Sequence, residues 1–554
     1  MPDRSVAIVT NSNLDLAGDC RDNDCRTTHG NASARSMVSG PAWLLSALVF
    51  CGGIASIGAE LATSRLIAPY FGSSTFIWST LIGLTMAFLA LGYWLGGRVA
   101  DRHPDASLLY FLAAIAGLAV TLIPVVAKPI LQVSLDAFAN LDLGAFYGSL
   151  IGTLLLLAIP ITLLGFVTPF VIRLRVADVE HAGNTSGSIY ALSTVGSILG
   201  SFLPVLLFIP LLGTSRTFAV LGVLLFLPAI AGLLATKRLG VGMVLIAGMI
   251  ATVVATLNSA NSGIRPADRG ALLDERESAY NYLQVAELDG ARLLIMNEGH
   301  AVHSIYDPGA LLTGGPWDYF MLGPLFTSDF TPEHVRTAMI IGLAGGTAAR
   351  QLQTVYPDLQ MHGVEIDPEV NAMAEEWFGL DEINGLEVEI SDGRYALVTG
   401  DSSYDLMVID AYRQPYIPFQ LTTHEFFNDV ARKLSSRGVV VVNVGRTESD
   451  YRLVDAIAST MRSSFDHVYA LDVGAYMNTM VIGTNAASSL GDLEQNIAAF
   501  QDDSPLRTVA GWAMESGDLR EVLPGDTVFT DDHAPVELVI DQIILQAARE
   551  LTGE

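Results

Sequence analysis

TAMIIGLAGGTAARQL, residues 337–352, is the stretch on which the reading of this chain turns. An apolar run feeds a glycine-rich turn (Gly342, Gly345, Gly346), and a helix-forming segment follows. A buried strand entering such a turn and then a helix N-terminus makes a nucleotide cradle, because small residues let backbone amides approach the ligand. Many strand–turn–helix units carry glycines for packing alone, so the neighbouring runs must decide. LQMHGVEID (359–367) carries Glu365 about 20 residues beyond the turn, where a carboxylate can take ribose hydroxyls. LEVEISDG (386–393) ends in Asp392-Gly393, and YDLMVID (404–410) ends in Asp410. Four strand candidates, each ending in an acidic or glycine-rich loop, describe the carboxyl edge of a parallel sheet, where open α/β folds bind ligands. Ordinary solvated loop acids are the plain alternative.

The pattern extends on both sides. YNYLQVAEL (280–288) and ARLLIMNEG (291–299) read as short strands of a small β lobe, and GGPWDYFMLGPLF (314–326) as a helix starting near Pro316. The strand–helix alternation over 337–445 predicts a parallel, doubly wound sheet whose fifth strand is GVVVVNVG (438–445). HVYALDV and MNTMVIG then suggest an antiparallel pair at the sheet's edge. Thr422 or Thr423 is expected to cap the helix that follows the loop at Pro415 and Pro418.

Taken together, these residues resemble the spermidine synthase (polyamine aminopropyltransferase) family, in its membrane-fused bacterial form. The resemblance covers roughly residues 280–445 well and the tail to Glu537 more loosely. It implies a Rossmann-like, methyltransferase-type α/β domain preceded by a small β lobe, and decarboxylated S-adenosylmethionine as co-substrate. By this resemblance Glu365 matches the glutamate that holds the ribose, Asp392-Gly393 the pair at the adenine, and Asp410 the catalytic aspartate. Tyr280-Asn281 stand where the family has Tyr-Gln against the nucleoside, and Gly342 and Gly345 belong to the donor's glycine loop. Trp317, Asp318 and Tyr319 fall in the helix that lines the family's amine pocket, with Tyr412 as a further aromatic wall. There are two departures. Ala344 stands where the family's glycine loop has an aspartate against the aminopropyl amine, and Arg413 replaces the second aspartate of the catalytic loop. Arg413 would repel a diamine's distal ammonium and welcome a carboxylate-bearing acceptor. TDDHAPVE, ending at Glu537, also recurs in membrane-fused relatives and has no assigned chemistry.

The front half is of another kind. The chain is 51% hydrophobic and only 16% charged, unlike a usual soluble protein. Apolar stretches near 42–64, 76–97, 107–127, 146–172, 187–212, 217–235 and 240–257 reach or approach the roughly 20 residues that cross a bilayer as helix. The expected organisation is a disordered tail (1–37), a transmembrane domain of about seven spans (38–258), a linker (259–277) and a catalytic domain (278–554). GSILG (196–200) offers a small-residue face for helix packing, and Pro160 and Pro169 should kink the fourth span. Glu60 is the one acid well inside a span, either a cation-binding group or a partner for Arg65. The loop GGRVADRH resembles the Gly-x-x-x-Asp-Arg signature of major facilitator transporters, on Gly97, Asp101 and Arg102. Cell-membrane (inner or plasma), multi-pass placement follows. Basic residues in loops put the amino terminus inside; seven spans would then put the catalytic half outside, against a donor made in the cytoplasm, so its side stays open.

Charge separates the halves as well. Residues 1–260 hold 12 acids and 13 bases, whereas residues 261–554 hold 46 acids and 17 bases. So acidic a half argues against nucleic acid as partner, since phosphate binding needs a basic face. It suits a small cationic amine, and equally a merely soluble acidic surface. Cys20, Cys25 and Cys51 build no disulfide framework, and no metal cluster or Ser–His–acid set stands out. Beside aminopropyl transfer, two functions stay open: an S-adenosylmethionine-dependent transferase with another acceptor, and a non-catalytic transport or sensing module for polyamine or nucleoside. A homo-oligomer is likewise left open.

Overall fold

In a computed structural model the described residues are 41–72, 75–138, 144–176, 179–260, 263–297, 301–328, 330–412, 416–474, 476–501, 504–516, 519–525 and 527–552. The expected disordered tail, with Cys20 and Cys25, lies outside them, as do Arg413 and Pro415.

Among the described residues, seven helices are long and apolar enough to cross a membrane. They are α1 (Ala42–Phe71), α2 (Thr75–Arg102), α3 (Ala106–Phe138), α4 (Gly144–Arg175), α5 (Ala182–Leu203), α6 (Thr214–Ala235) and α7 (Leu239–Ala260). α5 continues through a π-helical turn, Pro204–Phe208, to Leu212. α4 runs unbroken through Pro160 and Pro169. The small-residue face seats α5 on α1: a side chain at Gly196 would stand 2.3 Å from the Phe50 carbonyl, and one at Gly53 2.3 Å from the Ser193 carbonyl. Such close backbone approach replaces the hydrophobic drive that helices lack within lipid. Glu60 is buried in this bundle, and its Oε2 has no hydrogen-bond partner. Arg65 points instead to the Ala279 carbonyl, and Asp101 pairs with Arg173 (2.9 Å), tying the ends of α2 and α4.

Beyond α7 the chain returns to the end of α1. Arg265 donates to the Pro69 carbonyl (2.6 Å), and the Tyr70 hydroxyl donates to the Ile264 carbonyl (3.0 Å). A four-stranded antiparallel sheet follows, β1 (Ala271–Glu277), β2 (Tyr282–Leu288), β3 (Ala291–Met296) and β4 (Val302–Tyr306), in that order. β1 falls inside the stretch expected to be linker. Its run Asp274-Glu275-Arg276-Glu277 looks like solvated chain, but pairing with β2 and side-chain ties absorb the charge: Arg276 to Asp274 and Glu376, and Asp274 to the Trp377 indole (3.1 Å).

The second sheet has eight strands in the order β12-β10-β11-β9-β8-β5-β6-β7. Their ranges are β5 (Thr337–Ile341), β6 (Gln360–Glu365), β7 (Leu386–Ile390), β8 (Tyr404–Ile409), β9 (Leu434–Gly445), β10 (His467–Asp472), β11 (Asn478–Thr484) and β12 (Leu519–Glu521). β7, β6, β5, β8 and β9 are parallel, as the alternation predicts, while β9, β11, β10 and β12 pair antiparallel. Apolar side chains from both faces of β5 and β8 are buried, Ile340 and Leu406 on one side and Ile341 and Met407 on the other. That explains why these strands read as continuous apolar runs. The strand order reverses at β5, since β6 and β7 lie to one side and β8 and β9 to the other. A crevice at the carboxyl ends of β5 and β8 is where such sheets bind ligands.

Candidate active site

The β5 end sets the geometry. Gly342 has φ +88°, and a side chain there would lie 2.5 Å from the Asp410 carbonyl. Only glycine allows the turn after β5 to pass this close to the end of β8. The Asp410 N–H donates to the Ile341 carbonyl (2.9 Å), so the sheet fixes the backbone that carries the acid. Its carboxylate accepts from the Asn443 amide (2.8 Å) and from the Trp317 indole. Burial pushes the Asp410 carboxyl up to about 7 against the pull of those two donors. An acid so placed titrates near neutrality, as general acid–base chemistry requires.

Glu365 closes β6 in a similar state. It is buried, accepts from the Ala344 N–H (3.0 Å) and the Asp367 N–H (3.1 Å), and burial raises it to about 7. Ala344 itself takes a left-handed conformation, φ +48°, to deliver that N–H. Asp392 caps the helix Gly393–Thr399, accepting from the Arg394 and Tyr395 N–H groups (3.0 Å each). Gly393 lies against β5: a side chain there would meet Ile341 at 2.3 Å. The Gly345 N–H is taken by Ser304 (2.8 Å), so this glycine joins β4 to the turn. Asn281 donates to Asp367 (2.9 Å) and accepts from Asn297 (3.1 Å). Thus Asp410, Glu365, Asp392 and the glycine turn gather at adjacent ends of β8, β6, β7 and β5.

The amine-pocket candidates divide. The helix begins at Pro316 as expected, and Trp317 reaches Asp410. Tyr319 is buried and accepts from the Gly474 backbone. Tyr412 donates to the Asn443 carbonyl (2.9 Å) and accepts from the Gly445 N–H (2.8 Å), which stitches the loop after β8 to the end of β9. Asp318, expected in the amine pocket, meets donors of the fold itself. It is fully buried and accepts from the Thr313 N–H (3.1 Å) and hydroxyl (2.8 Å), the Gly314 N–H (2.8 Å) and the Gln351 amide (2.5 Å). A carboxylate holding that many internal donors anchors the 311–318 loop.

Four residues went unrecognised in the sequence. Asn443 is an amide inside the apolar run of β9, and a polar side chain there must find a partner, which is Asp410. Asp367 lies two residues past Glu365; it caps the next helix and holds Ser278 (2.5 Å) and Asn281. His303 on β4 has a buried Nε2 without a partner, and burial lowers it to about 4, so its ring is neutral at physiological pH. Asp531, in TDDHAPVE, forms a two-pronged pair with Arg394 (2.7 and 2.8 Å) and accepts from Thr423 (2.7 Å), bracing the helix behind Asp392.

No family model matches the chain. Over 295 residues it is 33% identical to a probable polyamine aminopropyl transferase of Bifidobacterium longum, covering 50% of this chain and 64% of that one. A polyamine aminopropyltransferase of Mycobacterium tuberculosis is 24% identical over 536 residues, 92% of this chain and 95% of that one. A probable spermidine synthase from Corynebacterium glutamicum, known as a crystal structure, superposes with TM-score 0.37 at 19% identity, over 45% of this chain and 90% of that one. The chain spans less than two thirds of the length of the first curated relatives it matches. The expected resemblance to polyamine aminopropyltransferases is borne out by the two curated relatives.

Proposed function

We propose that this chain, which is similar to polyamine aminopropyltransferases, is a membrane-anchored enzyme of that activity. It moves an aminopropyl group from decarboxylated S-adenosylmethionine to an amine acceptor such as putrescine. The observation that carries this reading is Asp410: a carboxylate fixed at the end of β8, held by Trp317 and Asn443, and raised to about 7 by burial.

In the reaction the lone pair of a neutral amine attacks the carbon next to the sulfonium. The carbon–sulfur bond breaks, its electron pair stays on sulfur, and methylthioadenosine leaves. Amines are mostly protonated near neutral pH, so a base must take or orient a proton. Above about pH 7 Asp410 is ionised and can accept it. Glu365 is the group for the ribose hydroxyls, with its orientation set by the Ala344 and Asp367 N–H groups. The glycine turn at Gly342 and the cap at Asp392 bound the nucleoside side, and the Trp317 and Tyr412 rings stand on the acceptor side. Holding donor and amine in line is itself worth several kcal/mol.

The test is turnover by the full chain in detergent with decarboxylated S-adenosylmethionine and putrescine, read as methylthioadenosine released. Asp410→Asn is expected to lose about 10²–10⁴-fold, the usual share of general-base catalysis. Donor affinity should change little, because the loss is confined to the transition state. Full activity in Asp410→Asn refutes the role.

A further inference from the structure

The loop from Glu277 to Tyr282 is gripped from two sides. From the membrane half, Arg65 near the end of α1 donates to the Ala279 carbonyl, and the Glu277 carboxylate accepts from the N–H of Thr214, the first residue of α6 (3.0 Å). From the catalytic half, the Ser278 hydroxyl accepts from the N–H groups of Tyr280 (3.0 Å) and Asn281 (2.8 Å) and donates to Asp367 (2.5 Å). Asn281 donates to the same Asp367 carboxylate, and the Asp367 N–H donates to Glu365. Three hydrogen bonds, linked through Ala279, Ser278 and Asp367, therefore join α1 to the carboxylate assigned to the donor ribose. Beside this loop lies a cavity of about 160 Å³ whose walls come from both halves: Ser64, Arg65 and Trp78 on one side, Tyr280, Asn281 and Asn297 on the other. Aromatic faces next to amide groups are the chemistry that takes a nucleoside.

We propose that the donor site is shared between the two halves: the junction cavity admits part of the adenosyl donor, and Arg65 is a positioning residue for Glu365. This rests on the aminopropyltransferase reading. Here α1 holds the loop that touches Asp367, and Asp367 in turn touches Glu365. Two sites coupled in this way exchange about 1–3 kcal/mol, or five- to 150-fold in affinity.

The experiment is calorimetric titration of the full chain in detergent with methylthioadenosine, together with donor KM and kcat. Arg65→Ala is expected to weaken binding fivefold or more and to raise KM while leaving kcat within about twofold. Ser64→Phe fills the cavity from the membrane side without touching the sheet, and it should weaken binding as well. Arg98→Ala, which removes a cation stacked on Trp94 of α2, should change nothing. If the wild type binds while Arg65→Ala and Ser64→Phe bind equally well, the shared site is overturned and the enzymatic reading stands. A wild type that binds no adenosyl sulfur compound overturns the enzymatic reading and this inference with it. Parallel loss of kcat and melting temperature in Arg65→Ala, with normal binding by Ser64→Phe, assigns Arg65 to mere scaffolding and also overturns the proposal.

Discussion

Replacing Asp410 by asparagine should stabilise the protein at alkaline pH even as it removes turnover. The carboxyl is raised from 3.8 to about 7 by burial. A group whose folded-state value is raised contributes stability that is present below the unfolded value and lost as pH rises through the folded one. Wild type therefore gives up stability between about pH 4 and pH 7. At about 1.4 kcal/mol per pH unit, a shift of this size makes the penalty roughly 4 kcal/mol above pH 7, and under about 1 kcal/mol near pH 4. Asparagine never ionises, so it escapes that loss. It has one acceptor oxygen for the two donors, Asn443 and Trp317, and leaving one donor against an NH₂ costs about 1–3 kcal/mol. The net expectation is a gain of about 1–3 kcal/mol at pH 8 that turns into a loss near pH 4. Thermal unfolding of the full chain in detergent, followed by tryptophan fluorescence at both pH values, measures it. A melting-temperature difference between variant and wild type that is the same at pH 4.5 and pH 8 would refute the reasoning. So would destabilisation at pH 8, which would make Asp410 a loop-capping residue. Stability gained at the expense of activity is the usual mark of a working site.

Glu365 should give donor binding its own pH dependence: raised to about 7 by burial, it is ionised above that value, so methylthioadenosine affinity should rise between pH 6 and pH 8. Glu365→Gln should weaken binding by about 1–3 kcal/mol and flatten the profile; a wild-type affinity independent of pH would contradict this. Asp318→Asn should lower the melting temperature, by disturbing the loop held through Thr313, Gly314 and Gln351, with donor KM unchanged at temperatures where the variant stays folded. A changed acceptor preference without loss of stability would return Asp318 to the amine pocket.

The strand ends were legible because parallel strands buried on both faces leave uninterrupted apolar runs, and the residue after each run marks the ligand edge. β5 to β8 end at Ile341, Glu365, Ile390 and Ile409, within two residues of Gly342, Glu365, Asp392 and Asp410. The seven long apolar helices among the described residues were legible from length and composition. β1 was not, because its charged side chains are paired or hydrogen-bonded by partners such as Glu376 and Trp377, about a hundred residues away in sequence. The role of Asp318 was hidden for a related reason. Its four donors come from the preceding turn and from Gln351, and no local pattern distinguishes an acid that holds a loop from one that meets a substrate. Glu365 and Asp392 stand at the site, but part of each carboxylate serves the fold, taking N–H groups of the glycine turn and of a helix N-terminus. Asn443 was legible in principle, as a lone amide in GVVVVNVG.

The pair between Arg394 and Asp531 also bears on when the site can form. The two residues are 137 apart in sequence, and Thr423 and Asp531 are 108 apart. Synthesis runs from the amino terminus, so the seven long helices emerge before the parallel strands, and those before Asp531. A nascent chain halted just before Asp531 would possess every strand of the large sheet, yet the helix that begins at Asp392 would lack its clasp. Closing contacts over so long a separation is slow, since chain entropy must be lost before the contact returns anything. The half that carries Asp392 and Asp410 therefore gains this clasp only after Asp531 has been synthesised, well behind the helix it braces.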